Sequence, residues 1–328
     1  MITILQKELA DYFTSVRFIV LFILVLLASA AGLYASFQGI RTANLPEGFV
    51  FLGLFTTPGE AIPSLISLIT ILVPIIGIIL GFDAINSERS GGTLSRLLSQ
   101  PVYRDDVING KFLAGIITLS IMIATTMLIV SGFGLGVSRL MVSGLALSVP
   151  SLSVPPAVPA PTSGEVLRLF FYFIFTVFYG VFWMGLAMLF SIVFRKISTS
   201  LLTSIGIWLF FWIFISLIAQ GLANTLAPVA EGSTLTELIR NAELGQTIMR
   251  FSPNTLFNEA TSVLLRPMLF GSLGVITTSQ AAFLLPNPLS LDQSLLIIWP
   301  QLTAMIALSV ICFAASYVVF MRQEIRAT

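Results

Sequence analysis

The chain has 328 residues, of which 56% are hydrophobic and 9% charged, whereas an ordinary soluble domain carries about a quarter charged. This balance excludes a soluble globular protein, and a net charge of +1 offers no electrostatic footprint for nucleic acid. With no histidine there is no His-ligated zinc or haem and no Ser-His pair, and the single cysteine, Cys312, excludes an intrachain disulfide or a thiolate metal cluster.

At the start of the chain, Ile2, Leu5, Leu9, Tyr12 and Val16 recur at helical steps, with Lys7, Glu8, Asp11 and Arg17 off that stripe. The pattern predicts an amphipathic helix over residues 1–17, lying in a membrane interface. Ala28-Ser29-Ala30 offers an A-x-A-like cleavage site, but two acids precede the apolar run and the run continues past it. An uncleaved first span is therefore expected. A helix needs about 20 apolar residues to cross the hydrocarbon. Uncharged intervals of that length occupy 18–40, 61–82, 112–138, 169–194, 197–230 and 293–321, and predict six transmembrane helices in one all-α membrane domain over 1–328. Two further uncharged intervals, 140–164 and 267–291, are broken by Pro150, Pro155, Pro156, Pro159 and Pro161, and by Pro267, Pro286 and Pro288. Irregular backbone is not tolerated against lipid, so these read as extramembrane or interfacial.

Between the second and third spans lies a polar interruption, 83–111, which holds eight charged residues. Gly91 and Gly92 break it, Thr93 can cap a short helix TLSRLLSQ whose Leu94, Leu97 and Leu98 share a face, and Pro101 ends that helix. Asp105 and Asp106 suit the start of the next helix, which Lys111 anchors at the interface. An ordinary solvated loop against the headgroups is the plain alternative. Between the fifth and sixth spans, 225–296 carries an acidic start at Glu231, Glu237 and Glu243, a helix near 235–251, a second helix over 256–265 capped from Asn254, and a proline-bounded apolar end. It reads as an extracytoplasmic helical loop serving as an external gate, a docking surface, or simply a lid over the helix ends.

Ten of the sixteen basic residues fall on one face of a six-span arrangement: Lys7, Arg17, Arg89, Arg96, Arg104, Lys111, Arg195, Lys196, Arg322 and Arg326. The positive-inside rule makes that face, both termini and 83–111 cytoplasmic, in a multi-pass protein of the plasma membrane.

Several chemistries fail on the residues. Gly110-Lys111 lacks the preceding glycine of a phosphate loop, where Asp105 stands, and Phe112 replaces its Ser or Thr, so the chain is not an ATPase. Asp83 and Asp292 fall at opposite ends of spans and cannot form an aspartyl protease pair. The span interiors hold no charge, which disfavours an ion-coupled carrier and suits lipid-like, hydrophobic or peptide cargo better than small ions. Tyr179, Trp183, Met184, Ser191, Gln220 and Asn224 are candidates for a cargo path, against the commoner role of such residues in packing or lipid contact.

The pattern Ser87-Glu88-Arg89-x-x-Gly92-Thr93-Leu94-x-x-Leu97-Leu98-Ser99-x-Pro101-Val102-x-Arg104, closing on Gly110-Lys111, resembles the cytoplasmic signature of ATP-binding-cassette transporter permeases of the second exporter type. Within them it is most similar to the subgroup associated with copper-enzyme maturation and nitrous-oxide reductase assembly. Gln6-Lys7-Glu8-Leu9 resembles that family's interfacial elbow helix, and Ser252-Pro253-Asn254-x-Leu256-Phe257 a segment found between its last two spans. The resemblance implies a permease subunit that works as a homodimer or with a sister permease, in membrane lipid, and exports its cargo. It implies no cofactor in this chain, with ATP and magnesium bound by two separate cytoplasmic ATPase subunits. It makes 83–111 the coupling loop, with Thr93, Leu94, Leu97 and Leu98 as docking face, Glu88, Arg89 and Arg104 as polar contacts, Gly92 as the turn and Pro101 as the stop. A membrane scaffold that relays ATPase motion to an extracytoplasmic partner, or anchors a complex without transporting, is the alternative.

Overall fold

A computed structural model describes residues 1–42, 50–92, 103–142, 158–229, 233–266 and 289–322. Among them the regular structure is entirely helical: α1 (Ile2–Thr14), α2 (Val16–Thr42), α3 (Val50–Thr56), α4 (Leu65–Gly81), α5 (Asn86–Ser90), α6 (Arg104–Val142), α7 (Ser163–Val193), α8 (Ile197–Leu209), a π turn (Phe210–Phe214), α9 (Ile215–Leu226), α10 (Leu235–Met249), α11 (Pro253–Leu265) and α12 (Leu291–Arg322). Six stretches are long and apolar enough to cross a bilayer: Val16–Ile40, Leu65–Ser90, Arg104–Gly136, Ser163–Val193, Ile197–Leu226 and Leu291–Arg322. They coincide with the six uncharged intervals, because a segment that must satisfy its own backbone in hydrocarbon has to be helical. The expected helix over 93–100 and its stop at Pro101 lie outside the described residues.

The helices form two compact units. One comprises the described residues up to Gly77 and those from Tyr103 to Val181; the other comprises Ile78 to Gly92 and everything described from Phe182 onward. In the first unit, close approach is made possible by missing side chains. A Cβ on Gly180 of α7 would lie 2.5 Å from Leu119 Cδ2 of α6 and 3.0 Å from Val73 Cγ1 of α4. Such small-residue contacts are the main means by which helices meet tightly where lipid removes the hydrophobic drive. Next to it, the Tyr179 hydroxyl donates to the Thr70 carbonyl at 3.2 Å. The short helix α3 is an element that the charge pattern does not announce. Its residues Phe51 to Thr56 are all buried, which a seven-residue apolar segment achieves only by packing on neighbours.

In the second unit, α10 and α11 form a hairpin. The first packs along α9, where Asn241 Nδ2 donates to Asn224 Oδ1 at 3.0 Å and to the Ala227 carbonyl at 2.7 Å. At the hairpin's tip, Ser252 Oγ donates to the carbonyl of Phe211 at 3.2 Å, in the π turn. A π turn leaves backbone groups displaced from the regular ladder, and here one of those carbonyls gains a partner. Pro253 sits at the first turn of α11, where its missing N–H costs nothing. Almost every residue of α11 is buried, and it leads back along α12. The first helix stands close to the bounds expected from sequence, whereas the second starts three residues earlier than expected, with Ser252 as its N-cap and Asn254 inside the helix.

Candidate coupling site

The residues carrying the family resemblance divide between the two units. In the second unit, α5 presents Ser87, Glu88 and Arg89, with Glu88 and Arg89 half-buried. The start of α5 is held by Ser191 of α7, whose hydroxyl oxygen accepts from the backbone N–H of Ile85 at 3.0 Å and of Asn86 at 3.1 Å. A hydroxyl placed on two free N–H groups does from a neighbouring helix what an N-cap does from its own. Asn86 is fully buried, and neither polar atom of its side chain has a hydrogen-bond partner. Beyond α5, Gly92 adopts φ +66°, a left-handed conformation that a Cβ would penalise. Thr93, Leu94, Leu97, Leu98 and Pro101 fall outside the described residues.

In the first unit, Arg104 opens α6 and is half-buried. About two turns on, Gly110-Lys111 meets the N-terminal helix. Lys111 Nζ lies 2.9 Å from Glu8 Oε2, with only 5% and 9% of the two side chains exposed. Lys7 Nζ reaches the other oxygen, Oε1, at 3.1 Å and Asp11 at 3.4 Å. A Cβ on Gly110 would sit 2.9 Å from Ile4 Cγ2, so only glycine lets α1 lie this close to α6. Two sequence fragments about a hundred residues apart, Gln6-Lys7-Glu8-Leu9 and Gly110-Lys111, thus form one contact. The helix expected at 1–17 is present as α1, but it buries Ile4 and Glu8 more fully than the stripe of Ile2, Leu5, Leu9, Tyr12 and Val16. The reason is tertiary: a buried lysine requires a counter-charge, and Glu8 supplies it.

Of the residues expected on a cargo path, Tyr179, Trp183 and Met184 are fully buried. Tyr179 serves the α7–α4 contact, and Trp183 packs edge-on to Phe182 and Phe211 with ring centroids 5.0 and 6.4 Å away. Ser191 seats α5. Gln220 and Asn224 are exposed on α9, where Asn224 meets α10. Among the described residues no group of His, Cys, Asp or Glu is arranged to hold a metal.

A family model for ABC-2 family transporter proteins matches residues 2–325. The chain belongs to the ABC-2 transporter family. Relatives of this ABC-2 chain include the probable ABC transporter permease protein NosY of Stutzerimonas stutzeri, 35% identical over 114 residues, a match covering 33% of this chain and 40% of that protein. NosY of Pseudomonas aeruginosa is 46% identical over 59 residues, covering 18% of this chain and 22% of that one. The matched parts therefore span less than half the length of these curated relatives. With six apolar helices among the described residues, the ABC-2 chain is a multi-pass membrane protein. The sequence signals for its contacts were incomplete. Glu8 and Lys111 stood in the resembling motifs without any indication that they pair, and Asn86 carried no signal at all.

Proposed function

We propose that this chain is a permease subunit that takes mechanical work from a separate cytoplasmic ATPase through residues 83–111 and passes it into the membrane helices, to move an exported cargo or to do conformational work across the membrane. The observation that carries this reading is the buried Glu8–Lys111 pair with Ile4 against Gly110. A loop that couples to a motor must end on something stiff, and a buried ion pair beside a glycine contact joins the end of 83–111 to α1 without slack. At the loop's other end, Ser191 fixes the start of α5. Leu94, Leu97 and Leu98 would supply the docking anchors, while Glu88, Arg89 and Arg104 steer, since a few buried apolar groups dominate small interfaces. In this reading both termini are cytoplasmic, ATP and magnesium stay in the ATPase pair, and a second copy or a sister permease completes the transporter.

The test is coexpression with a candidate ABC ATPase subunit, comparing the wild type with a Leu94→Asp, Leu97→Asp double variant. Loss of ATPase co-purification, with the membrane protein still monodisperse, is the expected result. Association that survives the double substitution overturns the coupling assignment, and co-purification with a non-ATPase complex alone puts the scaffold reading ahead.

A further inference from the structure

The hairpin of α10 and α11 reaches deep into the second unit. Its tip bonds Phe211, the fifteenth residue of the 30-residue stretch Ile197–Leu226. That stretch is about 45 Å long at 1.5 Å per residue, against a hydrocarbon layer of about 30 Å, so its middle lies near the bilayer centre. On the other side of the hairpin, Glu259 of α11 accepts from Gln301 Nε2 of α12 at 3.0 Å. Gln301 is the eleventh residue of Leu291–Arg322, about 15 Å from that end, which is also inside the hydrocarbon level.

At that depth the hairpin is charged. Glu259 is 2% exposed and is held by Arg250 Nε at 3.0 and 3.1 Å from its two oxygens, by Gln246 and by Gln301. Arg250 is different: its side chain is 39% exposed, and among the described residues it is engaged through its Nε. Above it on α10, Thr236, Arg240, Glu243 and Thr247 precede Arg250 at steps of four, three, four and three, which is one face of a helix. The first four are exposed. The opposite face, with Asn241 and Gly245, is the one against α9. Charged side chains at membrane depth face a water-filled cavity or a protein partner, never lipid tails.

We infer that the Thr236–Arg240–Glu243–Thr247–Arg250 face of α10 is the wall of a water-filled vestibule that opens where α9 ends and reaches down to Arg250. Its floor is a guanidinium fixed at Nε by a buried carboxylate, with its terminal nitrogens turned to the vestibule. Such a group recognises acceptor oxygens. Because Arg240, Glu243 and Arg250 alternate in sign, the vestibule fits a hydrated polar or zwitterionic solute rather than a naked ion or a lipid tail. The inference goes beyond the coupling reading and does not require an ATPase, so either can fail alone.

The experiment is thiol accessibility in proteoliposomes. In a Cys312→Ala background, Thr236→Cys, Thr247→Cys and Leu217→Cys are each exposed to a membrane-impermeant sulfonated maleimide. Leu217 lies on α9 near the depth of Thr247 and is 60% exposed, so it reports reactivity toward lipid. The expected result is that Thr247→Cys reacts at a rate close to Thr236→Cys and at least about tenfold faster than Leu217→Cys. Thr247→Cys reacting no faster than Leu217→Cys, while Thr236→Cys reacts, overturns the vestibule, whether lipid or a second copy covers the face. The floor is tested by adding Arg250→Gln to Thr247→Cys: the preference for a sulfonate over a trimethylammonium thiosulfonate reagent should fall severalfold, and an unchanged preference removes Arg250 as the anchor.

Discussion

Two acid–base pairs, Glu8–Lys111 and Glu259–Arg250, use the same chemistry in opposite ways. In the first, both partners are buried, at 9% and 5% exposure, and the pair has no open side. In the second, the acid is buried at 3% while the base is 39% exposed. A closed pair can only hold helices together, since any ligand would first have to break it. A half-open pair has one fixed partner and one that can still bind. Exposure of the base thus distinguishes a closed joint from a group still open to a ligand, and substitutions can break that contrast.

The largest effect is expected from Lys111→Met. It leaves Glu8 buried with only the half-exposed Lys7 for compensation, and an uncompensated buried charge costs about 3–5 kcal/mol. The stability of the purified protein in detergent, followed by thermal unfolding, checks this. A Glu8→Leu, Lys111→Met double variant should recover much of the loss, because a well-packed apolar pair replaces a buried ion pair at little cost. If the double variant is as unstable as the sum of its singles, the two residues are not coupled and the joint is not a pair.

Next in size is Gly110→Leu. The first added carbon already sits 2.9 Å from Ile4 Cγ2, and overpacking of this kind costs about 1–3 kcal/mol. An Ile4→Ala change in the same chain should relieve part of it, measured as a partial return of the unfolding midpoint. Additivity of the two changes would mean that α1 does not rest on Gly110.

The joint also shows where sequence reading succeeds and where it stops. The six spans are legible because hydrocarbon enforces one rule on every residue of a span, and the helices near 235–251 and 256–265 are legible from caps and breakers. Glu8 is different. On α1 alone it is a polar residue off the apolar stripe, and nothing local says that Lys111 lies opposite. The contacts of Arg250 and Glu259 were hidden in the same way: their segment has charges and prolines, and nothing local says that Ser252 beside them meets the carbonyl of Phe211. Pairing partners are set by tertiary contacts, so local periodicity cannot report them. The short helix α3 has neither the length nor the charge pattern to be seen.

The half-open pair should lose less when both of its charges go together. A Glu259→Gln, Arg250→Met double variant leaves no buried charge and keeps amides beside Gln246 and Gln301, so the expected cost is about 1–2 kcal/mol, whereas Arg250→Met alone strands the buried carboxylate and should cost more. The same unfolding measurement, run on both variants side by side, decides it. A double variant no more stable than Arg250→Met would mean that Glu259 does not depend on Arg250.

The smallest effect tests the other end of 83–111. Ser191→Ala removes the acceptor for two N–H groups at the start of α5, an exchange comparable to losing a helix cap, and should cost about 1 kcal/mol. Because α5 has only five residues, it cannot persist through its own hydrogen bonds, so the loss should be local rather than global. Amide hydrogen exchange is the appropriate measurement: Ile85 to Ser90 should exchange faster in Ser191→Ala, with α7 unchanged. Threonine at 191 keeps the hydroxyl and should restore protection. If Ser191→Thr exchanges as fast as Ser191→Ala, the hydroxyl is not what seats Ser87-Glu88-Arg89, and that end of the segment is anchored by packing alone.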